Sequence, residues 1–180
     1  MATQSESIIT VGFDPDLEHS AVAVLKDGVP FRLWAGEARS RTLSEACNQL
    51  IDTKLLLPFE GTRYSPVLVL ELPQHYIGGR ANPMSLTVLS ALCGAMCAAW
   101  PSGSQTTHFI HPTAWTRGLK KEIRQNQLLN LLGWGRLGNI QAPEQFCFSN
   151  TEWKHLLDAI GIASWAYDRL KMGFRIESVA

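Results

Sequence analysis

Ile8-Ile9-Thr10-Val11-Gly12-Phe13-Asp14-Pro15 is the stretch whose reading settles the fold class. Its β-branched and aromatic residues predict a strand over 8–13, and Asp-Pro predicts the turn that ends it. Ser20 to Lys26 reads as a second strand, Asp27-Gly28 as a tight hairpin turn, and Val29 to Ala35 as a third strand running back. Thr42 to Leu57 has helical spacing through Leu43, Ala46, Cys47, Leu50, Ile51 and Leu55. Val67 to Leu72 is almost uninterruptedly apolar, as expected of a central strand covered on both faces.

Downstream, the pattern predicts a long helix over about Pro83 to Trp100, a short strand over Thr107 to Ile110 and a polar, basic helix over Lys121 to Leu132. Residues 133–150 are rich in Gly, Pro, Asn and Gln and read as an irregular loop. Ser149-Asn150-Thr151-Glu152 is a capping box that opens a last helix running to about Met172. This order predicts one α/β domain over 1–180. Its five-stranded mixed sheet combines an antiparallel β1-β2-β3 meander with parallel strands added by crossover helices. In such a sheet the carboxyl ends of neighbouring parallel strands share one edge, where side chains from distant sequence positions meet.

Three acids and one histidine are attached to elements that should converge there. Asp14 follows the first strand, Glu71 ends the most apolar one, and His155 and Asp158 lie i, i+3 on one face of the last helix. Each has a plainer reading when taken alone. Asp14 would serve equally as a turn-former. Glu71 could end a strand at the surface, Asp158 could be an ordinary helix acid in a salt bridge, and His155 a packed or solvated histidine. The joint arrangement carries the inference. Clustered carboxylates repel and raise one another's pKa unless a cation neutralises them. Hard oxygen donors suit Mg²⁺ or Mn²⁺, and two such ions about 4 Å apart would activate water and stabilise the leaving oxygen in phosphodiester hydrolysis.

Bulk features exclude other classes. No apolar run reaches membrane-spanning length; the longest, Leu86 to Trp100, is interrupted by Thr87, Ser90 and Gly94. Cys47, Cys93, Cys97 and Cys147 form no CxxC pair, so neither a zinc site nor a disulfide framework is expected. Reduced thiols and a polar start without a basic n-region suggest the cytoplasm. Formal net charge is zero, but residues 1–73 carry ten acids and six bases and residues 74–180 carry six acids and ten bases. A neutral total thus hides an acidic half and a basic half.

Across these residues the sequence resembles the RuvC family of Holliday junction resolvases, particularly phage-borne members, within the RNase H-like superfamily. Gly12-Phe13-Asp14-Pro15-Asp16 resembles the family's first-strand GIDPG, with Asp16 where glycine is usual. Val69-Leu70-Glu71-Leu72-Pro73-Gln74 resembles the second acidic motif. Ser85 to Ala99, with Ala91, Gly94, Ala95 and Ala98, resembles the small-residue helix after it. His111-Pro112-Thr113-Ala114-Trp115 resembles the segment before the basic helix, and His155-x-x-Asp158-Ala159-x-x-x-Ala163 the closing acidic motif. The resemblance implies an RNase H-like fold and a metal-dependent endonuclease with two Mg²⁺ or Mn²⁺ ions per site. Asp14, Glu71, His155 and Asp158 would be its catalytic and metal-binding residues. It also implies a homodimer making paired symmetric cuts, because a four-way junction is itself two-fold symmetric; the Pro83 to Trp100 helix would suit the interface or packing on the sheet.

Arg117, Lys120, Lys121 and Arg124 lie within eight residues, opposed only by Glu122, and are the candidate phosphate-binding cluster; a solvated helix face is the plainer reading. Arg80 and Lys154 are secondary candidates, and Tyr76 could stack on bases exposed at a crossover. Competing functions are another nuclease on the same fold, acting on RNA–DNA hybrids or flaps, and a junction-binding module that does not cut. A fragment of an actin-like or sugar-kinase ATPase is disfavoured, because that fold needs about twice this length.

Overall fold

The computed structural model describes residues 7–16, 19–36, 66–72, 83–100 and 106–176. The expected helix over Thr42 to Leu57 lies outside them. Along the chain run β1 (Ile9–Asp14), β2 (Ser20–Lys26), β3 (Val29–Gly36), β4 (Val67–Glu71), α1 (Pro83–Ala99), β5 (Thr107–Ile110), α2 (Pro112–Thr116), α3 (Lys121–Leu132), β6 (Gly135–Arg136), β7 (Asn139–Ile140) and α4 (Asn150–Lys171).

Five strands form one sheet in the order β3-β2-β1-β4-β5. The β1-β2-β3 part is an antiparallel meander, and β4 and β5 join β1 in parallel. Asp27 and Gly28 both adopt positive φ, 53° and 82°, which makes the β2–β3 connection a type I′ turn matched to the twist of its strands.

Strand periodicity assigns the two faces. Val11 and Phe13 of β1 and Leu68 and Leu70 of β4 pack with Leu92, Cys93 and Met96 of α1. The alternate residues face α3 and α4: Val69 packs with Leu128 and Ile162, and Ala21, Ala23 and Leu25 of β2 pack with Leu156 and Ile160. Two layers of helix therefore sandwich the sheet.

Two features depart from expectation. Residues 133–150 are not wholly irregular, since β6 and β7 pair as a small antiparallel hairpin. Trp134, behind it, packs edge-on against Trp153 and beside Phe146, so an aromatic cluster seats the hairpin on α4. The short helix α2 was also not expected; Pro112 at its start and a left-handed Arg117 (φ 56°) at its end confine it.

Candidate active site

Register and parity bring the first two acids together. β1 and β4 are parallel, with Gly12 beside Val69 and Phe13 beside Leu70, so Asp14 and Glu71 each lie one residue beyond the last pair. Asp14 shares the face of Gly12, and Glu71 that of Val69. Both carboxylates thus leave the carboxyl edge on the α4 side.

A glycine sets the approach of α4. A Cβ on Gly12 would lie 2.1 Å from the Ala159 carbonyl oxygen and 2.7 Å from the Ala163 nitrogen. Only a residue without a side chain lets the helix backbone sit directly on β1. The helix starts at a complete capping box, with Ser149 accepting from the Glu152 amide and Glu152 accepting from the Ser149 amide. Its second and third turns then carry His155 and Asp158 over the strand end.

Each acid is held by a partner. His155 Nδ1 lies 3.1 Å from Asp14 Oδ2. Trp115 Nε1 donates to Glu71 Oε2 at 2.5 Å. The Trp115 ring in turn rests on Gly161, where a Cβ would meet it at 2.5 Å. Gln125 Nε2 donates to Asp158 Oδ1 at 2.8 Å and to the Lys154 carbonyl at 3.0 Å, while Lys121 Nζ forms an ion pair with Asp158 Oδ2. Asp14 is 5% exposed and Asp158 1%.

The electrostatics record crowding. Burial, followed by the charge of Asp14, pushes Asp158 up to about 7 against the opposing pull of Lys121 and Gln125. Burial and Asp14 also raise Glu71, although its bond from Trp115 opposes them. His155 is raised chiefly by its hydrogen bond to Asp14, against burial. Burial disfavours the Lys121 ammonium, but the fields of Asp14, Asp158 and Glu71 together win and raise it. One lysine thus offsets part of a negative field produced by three carboxylates.

The donor set suits a hard divalent cation: three carboxylates with too little positive charge among them, and an imidazole beside Asp14. As arranged, however, no group of three or more His, Cys, Asp or Glu side chains among the described residues is close enough to hold a metal ion. Trp115, His155 and Lys121 each hold one acid instead.

The basic candidates separate. Lys121, expected on a phosphate-binding face, instead pairs with Asp158. Arg124 departs from an exposed cluster: it is 6% exposed and reaches Gln127 at 3.3 Å. Arg117 is exposed and pairs with Asp168 at 3.3 Å; Lys120 and Lys154 are exposed. Tyr76 and Arg80 lie outside the described residues. The sequence reading missed Gln125 and the roles of Trp115 and Gly12. One usable signal was the i, i+4 spacing of Lys121 and Gln125, which puts both on the side of α3 facing α4.

No protein-family model matches the chain, and no curated protein sequence does. Solved structures do. Thermus thermophilus RuvC aligns with a TM-score of 0.61 at 16% identity, over 92% of this chain and 97% of that one. T. thermophilus RuvC in complex with Holliday junction substrate aligns with a TM-score of 0.65 at 17% identity, over the same shares. The fold is RuvC-like. At this identity the likeness establishes the architecture of the RNase H-like sheet and its flanking helices, and the chemistry has to be argued from the residues.

Proposed function

We propose that the chain is a structure-selective DNA endonuclease that resolves four-way junctions by metal-assisted phosphodiester hydrolysis. The observation that carries this reading is the placement of Asp14, Glu71, His155 and Asp158 on one sheet edge, with Glu71 and Asp158 both raised by burial and by Asp14. The structural neighbour solved with a Holliday junction substrate supports the choice of DNA substrate.

The four residues would hold one or two Mg²⁺ or Mn²⁺ ions, which would supply Lewis acidity and an activated water when bound. The chain's own groups do the positioning. Trp115 fixes the Glu71 carboxylate and Gln125 fixes that of Asp158, while His155 orients Asp14. Lys121 favours ionised Asp158 and adds a cation beside the phosphate to be cut. Lys154, which lines a cleft with His155 and Asp158, and Lys120 and Arg117 are exposed and would bind flanking phosphates. No helix among the described residues is long and apolar enough to cross a membrane.

Paired cuts call for two copies of the site. On α1, Leu92, Cys93 and Met96 are buried against the sheet, whereas Thr87, Ser90, Gly94 and Ala98 are exposed. A Cβ on Gly94 would meet nothing within 4 Å. That small-residue side supports close pairing with a second α1 in a homodimer.

The test is a four-way junction assay with Mg²⁺ or EDTA on wild type and Asp14→Asn. The expected result is symmetric nicks in opposing strands by wild type with metal alone. Binding without cutting in any divalent metal would replace the enzyme by a junction-binding module. Faster cutting of an RNA–DNA hybrid or a flap would reassign the substrate.

A further inference from the structure

The connection from β1 to β2 brings a second imidazole to the carboxylates. Asp16, the residue that departs from the GIDPG pattern, fixes its backbone. Asp16 Oδ1 accepts from the His19 amide at 3.0 Å, and the Asp16 carbonyl accepts from the Ser20 hydroxyl at 2.7 Å. Ser20 Oγ in turn accepts from the Asp16 amide at 3.4 Å. Ser20 is fully buried at the start of β2, so His19 is fastened to the sheet on that side. Short polar side chains fix turns by bonding nearby backbone groups, and a glycine in place of Asp16 would have no acceptor to offer.

Held in this way, His19 is half-buried, with its ring 5.7 Å from that of His155 and the two planes tilted by 39°. That separation falls within the range of packed aromatic pairs, about 4.5–7 Å. His19 also lies near the first turn of α4. There the Glu152 carboxyl, lowered chiefly by its hydrogen bonds from Ser149, is lowered further by His19.

His155 needs a second constraint of this kind. Its Nδ1 lies 3.1 Å from Asp14 Oδ2, and one hydrogen bond fixes only one ring atom. The imidazole can still turn about its Cβ–Cγ bond, a soft and roughly two-fold torsion, which would replace Nδ1 by carbon and break the contact. A ring packed against it opposes that turn. While Nδ1–H is donated to Asp14, Nε2 keeps the free lone pair, the form in which an imidazole meets a divalent cation. We propose that His19 is a positioning residue: set in place by Asp16, its ring holds His155 with Nδ1 toward Asp14 and Nε2 kept for the metal. This deepens the nuclease reading above and rests on it.

The experiment uses the full-length, metal-free protein with isotopically labelled histidines, at a pH where the His155 ring is neutral. Long-range proton–nitrogen NMR reads which ring nitrogen carries the proton, and His155→Gln identifies the His155 signals. Wild type should show a single tautomer, protonated at Nδ1. His19→Ala should collapse the difference between the two nitrogen shifts toward the average of exchanging tautomers. His19→Phe, which keeps a ring, should restore it. Asp16→Gly should act as His19→Ala does, and Asp16→Asn, which keeps an acceptor, should leave the tautomer fixed. Mn²⁺ affinity should fall by about 10–100-fold in His19→Ala and recover in His19→Phe. Circular dichroism melts would verify that each variant folds. A His155 tautomer unchanged by His19→Ala, or one that His19→Phe fails to restore, overturns the inference while leaving the nuclease reading intact. Wild type that cuts no junction under any metal removes the nuclease reading, and with it the purpose of the clamp, whatever the NMR shows.

Discussion

Asp158 pairs with the ammonium of Lys121 and is still raised from 3.8 to about 7. The consequence for stability has a definite sign. A carboxylate with a raised folded pKa binds its proton more tightly in the folded state, so stability falls as pH climbs through the window from 3.8 to about 7. Asp158→Asn removes the ionisation and keeps the amide–Gln125 contact within reach. In EDTA the variant should therefore melt above wild type at pH 8, by an amount on the order of a few kcal/mol, and the gain should vanish near pH 4. Junction cutting should be lost at both values. A variant less stable than wild type at pH 8 would show that the site is not strained by unneutralised charge. Asp14 and Glu71 stood out in the sequence because an acid at the end of an apolar strand is conspicuous, whereas Asp158 on its helix stood out only through its spacing from His155. The role of Lys121 was not legible, since a run of bases reads alike until the packing of α3 against α4 shows which one meets an acid.

At the scale of elements, the β1–α4 contact decides the geometry. His155 reaches Asp14, and Asp158 comes within range of its charge, because Gly12 lets α4 rest on β1. Gly12→Ala would drive a methyl into the Ala159 carbonyl, and overpacking of this kind costs about 1–3 kcal/mol or more. The predicted outcome is a lowered melting temperature together with loss of cutting. Ser149→Ala, which removes one arm of the capping box at the N-terminus of the same helix, should cost about 1 kcal/mol and leave cutting in place. Equal losses of activity in the two variants would mean that the β1–α4 contact has no special role. Strand and helix boundaries were readable where an apolar run, a turn dipeptide or a capping box marked them, as in β1, β2 and the start of α4. The β6–β7 hairpin was hidden because two-residue strands show no periodicity, and its glycines and neighbouring polar residues resemble those of a plain loop.

For the molecule as a whole, a net charge of zero conceals an acidic first half of the sequence and a basic second half. Phosphate binding by Lys120 and Arg117 should make junction affinity fall with salt. Arg117 already has Asp168 as a partner, so Lys120→Ala should reduce the logarithmic salt slope by about one, with Arg117→Ala reducing it less. A slope unchanged by Lys120→Ala would move the phosphate contacts elsewhere. The mixed sheet followed from the sequence because three successive strands make a hairpin meander and strands separated by helices add in parallel; the full order β3-β2-β1-β4-β5 came from the structure. The third dimension supplied what spacing could not, namely that Trp115 closes on Glu71 while Gln125 and Lys121 both close on Asp158.

If the folded sheet gathers Asp14, Glu71 and Asp158 into a site for divalent cations, calorimetric titration of the DNA-free protein with Mn²⁺ should give saturable binding near neutral pH. Protons should be released as Asp158 ionises, and binding should weaken markedly in Asp14→Asn, Glu71→Gln and Asp158→Asn alike. Absence of binding, or binding indifferent to all three substitutions, would contradict this reading of the site.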